Sequence, residues 1–212
     1  MEVLIDYLAF TDKGHTKEFW LEELGLNGLK FEVANVRFRW IEHLYTNGIH
    51  VYDDRNGMCG FEFSGTGCRL LETVNCLVFD WFDLIKQLSE GTGTHISRLD
   101  VACDETEGLL TFEKMYRYVK ARKYISRARR AIWTDGDEQS IVFGSPKSDT
   151  RLRIYNKALE RDVEGPWTRA EFQLRNDAAA SFCTNWVGQG GDLGKTYGGV
   201  LIHYLRFHNP AA

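Results

Sequence analysis

Arg98-Leu99-Asp100-Val101-Ala102-Cys103-Asp104 is the stretch on which the fold class turns. Successive side chains of a strand point to opposite faces. One face then carries Arg98, Asp100, Ala102 and Asp104, and the other Leu99, Val101 and Cys103. Two later stretches alternate in the same way. In 151–157, Arg151, Arg153, Tyr155 and Lys157 oppose Leu152, Ile154 and Asn156. In 169–175, Arg169, Glu171, Gln173 and Arg175 oppose Ala170, Phe172 and Leu174. The apolar faces require a core, while the polar faces hold both charge signs and a tyrosine.

Around these three strands the pattern mixes elements without a regular strand–helix–strand rhythm. Strands are expected over 2–10, 31–41, 48–53, 59–63, 96–104, 139–144, 151–158 and 168–175, with a turn at Asn47-Gly48 and another at Ser64-Gly65-Thr66-Gly67. Helices are expected from the cap Thr16 to Gly25, over 71–89 on its apolar side chains, over 111–124, and from about Asp177 onward. That mixture predicts an α+β fold: a mostly antiparallel central sheet with flanking helices, in one domain over 1–212.

Composition narrows the class further. The 212 residues are 43% hydrophobic and 26% charged, a globular balance with enough chain to bury a core without disulfides. Five cysteines, none in C-x-x-C spacing, argue against a disulfide framework or a zinc site and for a reducing cytoplasm. The first apolar stretch holds Glu2 and Asp6 and lacks a basic leader, and no apolar run approaches a membrane span. The net charge is −4, yet from Lys114 to Arg130 there are eight Lys or Arg and no acid. Such a block on an acidic chain is either a polyanion path, with Lys120, Arg122 and Lys123 at its centre, or a solvated helix face.

If the three polar faces belong to one sheet, Asp100, Asp104 and Glu171 converge. Carboxylate oxygens suit Mg²⁺ or Mn²⁺. Arg98, Arg151, Arg153, Arg169, Arg175 and Lys157 would then neutralise phosphate, with Tyr155 as a nucleophile. Otherwise these are three wet strands laced with cross-strand ion pairs. Ser64-Gly65-Thr66-Gly67 reads either as a turn whose backbone N–H groups face a phosphate or as a plain tight turn, and Arg69 just after it as the better phosphate contact. The glycine-rich 188–196 lacks the Walker spacing, which excludes an ATP loop and leaves a loop near DNA.

The same stretches carry a family likeness. Phe63-Ser64-Gly65-Thr66-Gly67-Cys68-Arg69, Ser97 to Asp104, Phe143-Gly144-Ser145-Pro146-Lys147-Ser148 leading into Arg153-Ile154-Tyr155-Asn156-Lys157, and Arg169 to Arg175 follow in order. With the opening Ile5 to Thr11 and the late Tyr204-Leu205-Arg206-Phe207, they span nearly the whole chain. On these residues the chain resembles the replication initiation factor family, the trans-acting initiators of rolling-circle plasmids and some filamentous phages.

The resemblance implies a fold related to the HUH endonucleases and a nucleophilic Tyr155, with Lys157 beside it. That tyrosine would attack one phosphodiester, keep the 5′-phosphate and release a 3′-OH that primes synthesis. It implies Mg²⁺ or Mn²⁺ on Asp100, Asp104 and Glu171. The implied partner is single-stranded or hairpin origin DNA of a plasmid, phage or integrated element, with a helicase and a second copy of the chain as further partners. Two departures stand out. His15, His43, His50, His95, His203 and His208 form no His-hydrophobic-His pair, and the chain ends soon after Phe207, as expected of a catalytic core lacking a C-terminal helical segment. Two competing readings are a DNA-binding regulator that cuts nothing, and a metal-dependent nuclease that uses water while Tyr155 is structural.

Overall fold

The structure is a computed structural model that describes residues 1–36, 39–75, 79–134, 136 and 138–208. It divides into two compact units. The first comprises Ile5–Asp100 and Arg175–Gly191; the second comprises Met1–Leu4, Val101–Leu174 and Asp192–Ala212. Two long strands, β1 (Glu2–Asp12) and β6 (Thr94–Glu105), contribute to both.

In the first unit β2 (Glu32–Val33), β3 (Glu42–Thr46), β4 (Ile49–Asp53), β5 (Cys59–Phe63), β1 and β6 are neighbours in that order. Their inward positions alternate as the sequence pattern demands. Leu8 and Phe10 of β1 and Phe61 and Phe63 of β5 are buried, and Phe10 stacks on Phe61 at 5.3 Å. The turn Asn47-Gly48 joins β3 to β4 as expected, with Gly48 at φ 82°. Its Cα hydrogen could not be replaced by a methyl group: a Cβ would stand 2.2 Å from Ser64 Oγ.

Helix α1 (Lys17–Glu23) starts at Thr16, whose hydroxyl accepts from the Phe19 amide, and it buries Trp20 against Phe10. Ser64 proves to be a helix cap, not part of a tight turn. Its hydroxyl accepts from Gly67 N and opens α2 (Gly65–Val74). The helix expected over 71–89 is two helices. α2 ends at Asn75, and Asp80 caps a new one, α3 (Trp81–Glu90), by accepting from Phe82 N. Residues 76–78, inside that expected helix, lie outside the described residues, as do 37 and 38 of the strand expected over 31–41. Helix α6 (Asn176–Gly188) packs Trp186 on Phe82 of α3.

In the second unit the order is β6, β11 (Thr168–Arg175), β10 (Thr150–Asn156), β9 (Ser140–Phe143) and β8 (Ala131–Thr134). Antiparallel pairing sets Arg153 opposite Glu171 and Tyr155 opposite Arg169. Leu152, Ile154, Phe143 and Phe172 fill the other face. Helix α7 (Leu193–Tyr204) covers them with Tyr197 and Tyr204, whose rings lie 5.6 and 5.4 Å from Phe172. The helix expected over 111–124 is shorter. α4 (Phe112–Lys120) stops where Arg122 turns left-handed at φ 56°, and a short strand β7 (Tyr124–Ser126) then pairs with β12 (Leu205–Phe207). The strand expected over 151–158 ends at Asn156, whose side chain caps α5 (Lys157–Arg161). Of the glycine-rich 188–196, expected as a loop, only 189–192 connects α6 to α7; Leu193 to Thr196 open α7, which Asp192 caps.

Candidate active site

The register of β10 and β11 puts Arg151, Arg153 and Tyr155 on one face with Gln173, Glu171 and Arg169, as the period-two reading requires. On that face the Tyr155 hydroxyl donates to Glu171 Oε2 at 3.1 Å. Arg153 lies over the phenol ring with its guanidinium carbon 4.0 Å from the centroid. Lys157 Nζ donates to the hydroxyl oxygen at 3.4 Å from the first turn of α5. Asn156 positions that turn: its Oδ1 accepts from Leu159 N at 3.1 Å while its Nδ2 donates to Gln139 Oε1 at 2.9 Å.

Burial first, and then the neighbouring Glu171 charge, push the Tyr155 phenol well above its ordinary pKa; Arg169 and Arg153 oppose this without offsetting it. The phenol is therefore protonated at neutral pH, and its proton points at a carboxylate. Tyr155 is only 3% exposed. A shallow cleft of about 70 Å³ opens beside it, lined by Arg153, Gln139, Asn156 and Glu160 among others. Glu160 pairs with Lys157 and stands 3.7 Å from Arg153 Nη1, so one acid of α5 engages both cations of the site.

Asp104 on β6 accepts both Arg169 Nε and Nη2 at 2.7 Å, and both residues are buried. This bidentate pair fixes β11 beside Tyr155 and keeps Arg169 pointed along the polar face.

Arg69, Arg98, Asp100 and Arg175 belong to the first unit. Asp100 accepts from Arg98 Nε and Nη2 at 2.9 and 2.5 Å. Burial holds its carboxyl above the usual range, although Arg98 and Arg175 pull it down. Arg98 also stacks on the Tyr7 ring at 4.0 Å, and the Tyr7 hydroxyl donates to Glu62 at 3.3 Å. Burial raises the Tyr7 phenol to about 12, helped by Glu62. Arg69 of α2 reaches Ile5 O at 2.5 Å and Glu72 at 2.9 Å.

The convergence expected of Asp100, Asp104 and Glu171 needs correction. Four residues along β6 separate the two aspartates by about 13 Å, while a hard cation holds its oxygens at about 2.1–2.5 Å. Each aspartate is instead clasped by an arginine. Among the described residues no group of three or more His, Cys, Asp or Glu side chains could hold a metal ion. The donor set as folded does not fit a ready-made Mg²⁺ or Mn²⁺ site.

Lys120, Arg122 and Lys123 sit at the exposed end of α4, where Lys120 lies 5.6 Å from the Tyr116 ring centroid. Glu160 and Gln139 were missed by the sequence reading. Glu160 sits in a helix that the strand pattern hid, and nothing local marks Gln139. Among the described residues no helix is long and apolar enough to cross a membrane.

With this geometry in view, comparisons with known proteins converge. The family model described as replication initiation factor matches residues 94–212, more than half of the chain. A solved structure, that of the rolling circle replication initiator protein from Geobacillus stearothermophilus, matches with a TM-score of 0.89. It shares 26% identity and covers 100% of this chain and 88% of its own. No curated protein matches. The α+β architecture, with its large antiparallel sheet, is thus that of a rolling-circle initiator, and the chain belongs to the replication initiation factor family.

Proposed function

We propose that this protein starts rolling-circle replication by nicking and rejoining one strand of origin DNA through a covalent bond to Tyr155. The observation that carries this reading is the Tyr155 hydroxyl aimed at Glu171 with Arg153 and Lys157 beside it. A high-pKa phenol is a poor nucleophile until a base takes its proton. Glu171 is within reach to do so as the phenol oxygen attacks phosphorus. The P–O3′ bond breaks, the 3′ oxygen leaves as a hydroxyl after protonation by water, and the 5′-phosphate stays on Tyr155. Attack of a 3′-OH on that phosphotyrosine reverses the steps and rejoins the strand. Arg153 and Lys157 neutralise charge gathering on the phosphoryl oxygens.

Entry of DNA requires a rearrangement. Tyr155 is covered, and Glu160 occupies the cations that a phosphate needs. A phosphodiester competes with Glu160 for Arg153 and Lys157, so α5 shifts as the strand docks. As folded, Asp100 and Asp104 are engaged by arginines and Glu171 by Tyr155.

The test is to incubate the protein, with Mn²⁺ supplied, with single-stranded oligonucleotides tiling the replicon that encodes it. A DNA adduct that survives denaturation is expected with wild type and absent with Tyr155→Phe, which still binds. Binding without any adduct supports the competing reading of a DNA-binding regulator. Free 5′-phosphate ends without adduct support a hydrolytic nuclease.

A further inference from the structure

A cleft of about 730 Å³ lies away from Tyr155 in the second unit. Its walls are the segment that follows β7 and the loop between β9 and β10, and they include Arg127, Arg129, Arg130, Ser145 and Ser148. The floor is built rather than incidental. Tyr204 lies under it, its hydroxyl 3.3 Å from both Phe143 O and Thr150 O. Gly144, at φ 100°, lets the chain pass, since a Cβ there would stand 3.0 Å from Thr150 O and 3.1 Å from the Tyr204 hydroxyl. The rim is fixed by Ser145 and Ser148, which bond to each other's and to Lys147's amides at 3.0–3.1 Å.

The arginines here differ from four described above. Arg69, Arg98, Arg153 and Arg169 each face a carboxylate. Arg127, Arg129 and Arg130 are exposed, and none has a carboxylate partner among the described residues. Three exposed guanidinium groups around one concavity, on a chain of net charge −4, call for an anion with several charges. The remaining lining includes Ala128, Ile132 and Pro146, and its one aromatic ring, that of Tyr204, is buried. Unpaired bases are held chiefly by exposed rings on which they stack, and this cleft offers none. Its chemistry suits a regular row of phosphates.

We infer that the cleft between the post-β7 segment and the β9–β10 loop grips the backbone phosphates of duplex DNA, the paired arm flanking the strand that Tyr155 attacks. This rests on the reading of the protein as an origin nickase. Within the basic block it moves the main phosphate contacts from Lys120, Arg122 and Lys123 at the end of α4 to the last three arginines, Arg127, Arg129 and Arg130.

The experiment measures affinity against salt for a hairpin containing the cleavable strand and for that strand unpaired. It uses wild type, the triple variant Arg127→Ala/Arg129→Ala/Arg130→Ala, and Lys120→Ala/Arg122→Ala/Lys123→Ala as control. All six side chains lie at the surface, and circular dichroism checks that both variants fold. Each lost phosphate contact removes about 0.9 from the slope of log K against log salt on duplex. The first variant should therefore lose about 2.7 of slope on the hairpin, which is roughly a 40-fold smaller change in affinity between 50 and 200 mM salt. Its slope on the single strand, its adduct yield at saturating single strand, and the slope of the control should stay near wild type. An unchanged hairpin slope, or an equal loss on the single strand, overturns the inference while the adduct yield still reports on Tyr155. A wild type that binds neither DNA overturns both readings.

Discussion

Two hairpins of this protein share a design and differ in charge. In the first unit His50-Val51-Tyr52-Asp53 pairs with Cys59-Gly60-Phe61-Glu62; in the second Arg153-Ile154-Tyr155-Asn156 pairs with Thr168-Arg169-Ala170-Glu171. The registers correspond. His50 faces Glu62 as Arg153 faces Glu171, and Tyr52 faces Gly60 as Tyr155 faces Arg169. Where the second hairpin has two arginines, the first has a histidine and a glycine. Trp40 takes the space over Gly60, stacking on Tyr52 at 5.4 Å; a Cβ on Gly60 would lie 3.0 Å from its ring. His43 also stacks on Tyr52, at 4.5 Å, and Glu62 accepts from Tyr7. One backbone frame thus supports a ring-packed face in one unit and a cation-lined face around a tyrosine in the other. The cations, not the tyrosine–glutamate pattern, set the candidate site apart.

The largest expected difference lies in the two glutamates. Glu171→Gln should slow cleavage about a thousandfold, within the span of general-base effects, while Glu62→Gln should leave it within about twofold. The pH profile adds a sign. Burial and Glu171 hold the Tyr155 phenol above its ordinary pKa, so its phenolate is scarce and grows as pH rises. Without a base, cleavage by Glu171→Gln should climb about tenfold per pH unit between pH 7 and 9, and wild type should be flatter. Equal slopes in single-turnover rates would remove Glu171 from the mechanism.

Asp104 and Asp12 sharpen the comparison through stability. Asp104→Asn leaves Arg169, 6% exposed, without its counter-charge, which costs about 3 kcal/mol or more. Urea unfolding measures it, and a loss below about 1 kcal/mol would show that the pair is not structural. Next in size is Arg153→His, which makes β10 resemble β4. It should lower the single-turnover cleavage rate roughly tenfold or more with little change in unfolding midpoint, and the reverse change His50→Arg should add no activity.

Asp12 carries the smallest effect. It accepts from neutral donors, Gly14 N at 2.6 Å and Trp20 Nε1 at 2.8 Å, and from His15 Nδ1 at 2.8 Å. Burial pushes its carboxyl up, but these hydrogen bonds outweigh it and hold the pKa below the ordinary value. A depressed carboxyl contributes stability above the unfolded-state value of about 3.9, lost as pH falls through the folded-state value. Wild type should therefore lose stability more steeply than Asp12→Asn below about pH 4. Parallel acid-unfolding curves would contradict the assignment.

Much of this is legible in the sequence alone. Alternation in 151–157 and 169–175 identified the shared polar face, because period-two patterning survives wherever one side of a sheet is buried. Tyr155, Glu171 and Arg153 follow from that alternation. The pairing of charges does not. Nothing local says that Asp104 belongs to Arg169 and Asp100 to Arg98, since those bonds depend on which strands are neighbours and on side-chain reach. Apolar periodicity ran through the break between α2 and α3, because the caps Asn75 and Asp80 interrupt the backbone without interrupting the pattern. Lys157 read as the end of a strand because the capping role of Asn156 is invisible to a two-residue period. The basic block was plain in sequence, but not that its last three arginines meet the Ser145–Ser148 loop across a cleft.

The central claim is that Tyr155 carries the DNA. Protease digestion of the trapped adduct, followed by mass spectrometry of the peptide that retains nucleotide, tests it most directly. A 5′-phosphodinucleotide or longer remnant on Ile154–Lys157, attached through the tyrosine oxygen, is the predicted result. The same remnant on Tyr7, Tyr52 or any other residue would contradict it.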